Sequence, residues 1–104
     1  MASFNFNDTI KVSGAIAAQS NSGATLYTAP ANGYAVIQAT FYPGSGSTPT
    51  LSVGGRTVWQ GNGGVGVQFM DNIHVGPGQA VVCAQGGPTT TIFEISGVQF
   101  SNSP

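Results

Sequence analysis

The chain has 104 residues and a net charge of −1, and only five residues, Asp8, Lys11, Arg56, Asp71 and Glu94, are charged. That is 5% of the chain, against about 25% in an average soluble domain. Two basic residues cannot neutralise a phosphate backbone or hold an anionic lipid surface, and three acids with one histidine leave little acid–base or metal chemistry.

The hydrophobic fraction of 40% is ordinary, so Gly, Ser, Thr, Asn and Gln stand where the charges are missing. Disordered chains combine low hydrophobicity with high net charge, and this one has neither. The length sets one domain with a modest core. So little charge implies an exterior held against other protein, because near-zero net charge gives copies little mutual repulsion.

No window shows sustained apolar spacing of three and four residues, and sixteen Gly and six Pro cut the chain into short segments. The runs between them are rich in Val, Ile, Thr, Phe and Tyr, which predicts strands. Residues 1–7 are expected as an extended N-terminal arm, with Phe4 and Phe6 on one side to reach a neighbour, and 8–104 as a single β-sandwich domain. The first strand is predicted over Thr9–Ala17 and the second over Ala24–Thr28, before Pro30. The third spans Tyr34–Tyr42, with Ala35, Ile37, Ala39 and Phe41 on one face. Thr50–Val53 and Arg56–Gln60 flank Gly54-Gly55, a two-residue hairpin turn. Val65–Phe69 and Asn72–Val75 follow as two strands, then Gln79–Ala84 after Gly76-Pro77-Gly78, then Thr90–Phe100. In that last segment the apolar residues change parity, from Phe93 and Ile95 to Val98 and Phe100. A bulge at Gly97 would restore one apolar face. About eight strands with regular turn signals predict an all-β antiparallel sandwich, jelly-roll-like.

Little chemistry is available to such a chain, which is expected not to be an enzyme. His74 follows Asp71 by three residues, but no serine sits in a nucleophile elbow. The three acids are far apart in sequence, against a glycosidase pair. One Cys and one His fall short of a zinc site, and no Asp-rich loop offers calcium ligands; His74 would ligate a metal only where three copies meet on an axis. The glycine-rich loops Gly61-Asn62-Gly63-Gly64 and Gly86-Gly87 lack a following helix or lysine for phosphate. No cofactor is expected. Cys83, in Ala80-Val81-Val82-Cys83-Ala84, reads as a buried structural thiol. Residues 1–7 show no signal-peptide pattern, and no apolar run is long enough for a membrane helix.

Tyr27, Tyr34, Tyr42 and Trp59 are expected to anchor a core or subunit interface, with stacking on a sugar as the alternative. Glu94 alternates with Phe93 and Ile95, so it faces outward or toward an intersubunit partner, with Arg56 or Lys11 as candidates. Phe4, Phe6, Tyr27, Tyr42, Trp59 and Glu94 are thus the candidate interface residues.

The run Thr25-Leu26-Tyr27-Thr28-Ala29-Pro30, followed by Gly33-Tyr34-Ala35-Val36-Ile37, resembles the opening strands of small phage virion proteins. Val75-Gly76-Pro77-Gly78-Gln79 and Ile95-Ser96-Gly97-Val98-Gln99-Phe100 look like their later strands, and the ending is also similar to the last strand of tumour necrosis factor-like trimers. The resemblance implies a jelly-roll homotrimer without catalytic residues. It implies a capsid decoration (cement) protein made in the host cytoplasm, located in the virion and bound to the major capsid protein. The alternative it implies is a glycan- or receptor-binding distal domain of a tail fibre or spike. A fibre tip normally follows a long shaft, whereas this chain opens almost at its first strand, which favours decoration.

Overall fold

The computed structural model describes residues 4–63 and 66–102, with side chains described except at 4–7 and 102. Eight strands run in chain order: β1 (Phe4–Ile16), β2 (Ala24–Thr28), β3 (Gly33–Pro43), β4 (Pro49–Val53), β5 (Arg56–Gln60), β6 (Gln68–Val75), β7 (Ala80–Gln85) and β8 (Thr91–Asn102). They form two four-stranded sheets, ordered β1-β8-β3-β6 and β2-β7-β4-β5. Every pairing is antiparallel: β1 with β8, β2 with β7, β3 with β6 and β4 with β5. The chain therefore behaves as one long hairpin folded at the β4–β5 turn and rolled up, with the β3–β8 and β4–β7 pairings closing the roll. That is a jelly roll, so the sandwich expected from the segment pattern is the observed architecture.

Alternation fixes which side of each strand is inside. Ala35, Ile37, Ala39 and Phe41 of β3 and Phe93 and Ile95 of β8 face Leu51 and Val53 of β4 and Val81 and Cys83 of β7, all buried. Ile10, Ile16, Ile73 and Val75 extend the core under β1 and β6. The β4–β5 turn has the predicted form, with φ of +59° at Gly54 and +84° at Gly55, the two positive values that a tight hairpin needs.

Three expectations are corrected. The residues expected as a separate arm are, from Phe4 onward, the first part of β1, paired from Phe4↔Asn102 to Ile16↔Thr91. The two strands predicted over 65–69 and 72–75 are, within the described residues, one bulged strand, in which Asp71 and Asn72 together oppose Gln38; Val65 lies outside the described residues. Finally, β8 carries no bulge at Gly97: its register on β3 is unbroken from Gly33↔Ser101 to Pro43↔Thr91. A Cβ at Gly97 would stand 2.3 Å from the Val36 carbonyl oxygen, so glycine there lets β3 and β8 approach while both stay regular. The parity change is therefore real. Val98 and Phe100 point to the outer face, and Gln99 takes the inward position.

The register irregularities fall elsewhere. The extra residue is Asn7 on β1, Leu26 on β2, Val58 on β5 and Asp71–Asn72 on β6. These are the four edge strands, while the central β3–β8 and β4–β7 pairings are continuous. Asp8 and Asp71 support two of the bulges, each accepting the next residue's backbone N–H at 2.8 Å.

Candidate functional site

The outer face of the β1-β8-β3-β6 sheet is built from the residues that alternate with the core. β3 contributes Tyr34, Val36, Gln38, Thr40 and Tyr42, and β8 contributes Ile92, Glu94, Ser96, Val98 and Phe100. On β1, Thr9, Lys11, Ser13 and Ala15 lie opposite Val98, Ser96, Glu94 and Ile92. On β6, His74 and Phe69 lie opposite Val36 and Thr40.

Three bands cross this face. At one end Tyr42 (40% exposed), Ile92 (53%) and Phe69 (58%) stand open to solvent, with Val67 (62%) just before β6. Tyr42 and Ile92 are direct cross-strand partners. In the middle Lys11, Ser13, Gln38, Thr40, Glu94 and Ser96 line a shallow hollow, across which Gln38 Nε2 donates to Ser96 Oγ at 2.9 Å. At the other end Val36 and Val98 pair, and Tyr34 stacks on Phe100 with ring centroids 5.0 Å apart. The face thus has one exposed apolar end, one half-buried apolar end and a thin polar centre.

The structure divides the candidate residues. Tyr42 and Glu94 are on this face, and Glu94 shares its hollow with Lys11. Arg56, the other partner considered for Glu94, lines a different hollow with His74, between the β5 and β6 edges. Trp59, half-buried, stacks on Phe41 at 4.7 Å and packs on the core. Tyr27 is also an internal group. It packs on the core, and its hydroxyl donates to Gln99 Oε1 at 2.5 Å, tying one sheet to the other. Phe4 and Phe6 have their backbone in β1, and their side chains lie outside the described residues. Ile92, Val67 and Phe69 were missed. Ile92 shares parity with Glu94, which alternation alone places outside.

Cys83 is fully buried, and that burial pushes its thiol up to about 11, away from reactive thiolate chemistry. Among the described residues no three His, Cys, Asp or Glu side chains come together as a metal site.

No protein-family model matches the chain, and no curated protein matches it. Its fold is similar to that of a chain in the acidic stable capsid structure of Helicobacter pylori bacteriophage KHP30, with a TM-score of 0.66 over 100% of this chain and 99% of that one. The two are 8% identical in sequence, so the likeness is one of fold, and it runs end to end in both chains.

Proposed function

We propose that this protein is a non-catalytic structural component of a bacteriophage virion, a capsid decoration (cement) protein that binds the assembled lattice of the major capsid protein. The observation that carries this reading is the end-to-end fold likeness to a chain of a phage capsid structure. The exterior supports it, because uncharged polar and apolar surface escapes the desolvation cost that charges meet when a neighbour covers them. The mechanism is mass action: a protein that binds the assembled shell and not its separated subunits stabilises the shell by the free energy of that binding.

Jelly rolls also occur in lectin domains, the basis of a glycan-binding alternative. That alternative loses two of its aromatics, since Trp59 and Tyr27 are engaged inside the sandwich. Cosedimentation with purified capsids of the parent phage, run beside a glycan-binding screen, tests the reading. Saturable binding to capsids that raises their disassembly temperature is expected. Binding to a glycan with none to capsids would overturn it.

A further inference from the structure

We infer that the outer face of the β1-β8-β3-β6 sheet pairs with the same face of a second copy, about a twofold axis that crosses the strands at the central hollow. This inference is independent of any role in a virion. It rests on the order of residues along the face. Counting in steps of two along each strand, Lys11, Ser96 and Gln38 form one row, and Ser13, Glu94 and Thr40 form the next. The row beyond the first is Thr9, Val98 and Val36; the row beyond the second is Ala15, Ile92 and Tyr42.

A twofold axis between the two central rows lays each strand over its own copy with the rows reversed. Lys11 then stands over Ser13 of the second copy. Ser13 is the cross-strand partner of Glu94, about 5 Å to the side. The ammonium of each copy thus reaches the carboxylate of the other, and the contact occurs twice, as an isologous interface requires. The same operation sets Ile92 over Val98 and Tyr42 over Val36, again reciprocally. Lys11 and Glu94 are matched and both apolar bands are covered; Asp71, which with Asn72 opposes Gln38, is a third charge at the β6 border of the face and lies outside the paired rows. A threefold arrangement does not produce this reciprocity.

The edges favour a face over a strand-to-strand contact, since each of the four edge strands carries an extra residue that interrupts its ladder. Four strands at ~4.8 Å and seven residues at ~3.4 Å give a plane of about 450 Å² per copy, the size class of weak, concentration-dependent contacts.

Light scattering between about 5 and 500 μM covers that affinity range. The expected mass climbs from the 10.5 kDa of one chain toward twice that value. K11E and E94K should each weaken pairing at least about tenfold, since each places like charges across the axis. An equimolar mixture of the two variants restores both contacts in a heterodimer and should recover pairing. Ile92→Ser should weaken pairing without being rescued by either variant. All three sites are exposed, and an unchanged melting temperature at low concentration confirms that each variant folds. A mass of one chain at all concentrations, a threefold mass, pairing that survives both reversals, or a mixture that fails to recover would each overturn the inference.

Discussion

Gln85 shows how this chain uses an uncharged polar side chain where others would use an ion pair. It is buried, and its Nε2 donates to the carbonyl oxygens of Ile16 at 2.7 Å and Ala17 at 2.6 Å, while its Oε1 accepts from Thr91 Oγ1 at 3.0 Å. One amide thereby ties the end of β1 to β7 and β8. Gln85→Leu fills the same space but strips two buried groups, the Ile16 carbonyl and the Thr91 hydroxyl, of a partner, at about 2–4 kcal/mol. Thermal unfolding should show a melting point lower by about 8 °C or more, at roughly 4–8 °C per kcal/mol for a domain of this size. Cys83 gives a second test. Its thiol is raised from 9.0 to about 11 by burial, so the unfolded chain ionises first as pH rises, and folding stability is lost between those values. The melting point should fall from pH 9 to pH 11, Cys83→Val should flatten that fall, and native Cys83 should resist thiol reagents at pH 8 until the chain unfolds. Tyr27, also raised by burial, adds to the same loss above pH 10.

At the scale of the element, much was legible in the sequence because turns and alternation are local. Ala24–Thr28 and Arg56–Gln60 are strands over the expected residues, and Gly54-Gly55 joins β4 to β5 as a tight turn. What failed depended on partners distant in the chain. The apolar side chains of Val98 and Phe100 point, in sequence alone, to the core and so to a bulge at Gly97. In the sheet they cover the outside, Phe100 against Tyr34. Trp59 and Tyr27 could be read only as core or interface groups, because Phe41 and Gln99, which they meet, lie far off in sequence. Gly97→Ala tests the tight β3–β8 approach: a methyl 2.3 Å from the Val36 oxygen forces the strands apart, and denaturant unfolding should show a loss of about 1–3 kcal/mol. Deleting Val58, the extra residue of β5, would leave Trp59 opposite Leu51 and make the edge regular. That variant should form thioflavin-positive aggregates at concentrations where the parent stays clear, because a flat edge with Arg56 as its one charge templates strand addition.

The whole molecule is an elongated sandwich, 49 × 22 × 18 Å, with a radius of gyration of 14.2 Å where a compact chain of this length has about 13 Å. Such a shape gives much surface per residue, and almost none of it is charged. Four of the five charges sit on edge strands: Asp8 and Lys11 on β1, Arg56 on β5 and Asp71 on β6. Glu94 alone is on a central strand, in the hollow it shares with Lys11. The scarcity of charge read from the sequence therefore has a spatial pattern: the edges receive what little there is, and the broad face is left to be covered.

The edge bulges have a consequence for how the protein behaves as a solute. Most domains stay dispersed by repelling one another, so they salt out of balance and precipitate near their isoelectric point. Here each edge strand carries an interrupted backbone ladder, and backbone geometry has no Debye length and no titration. Turbidity of a concentrated solution should show little minimum in solubility at pH 5.4, the isoelectric point. It should also change little from about 10 mM to 1 M salt, over which charge screening shortens from ~30 to ~3 Å. An edge blocked in this way keeps its effect under salt and pH conditions that would coagulate a charge-stabilised protein.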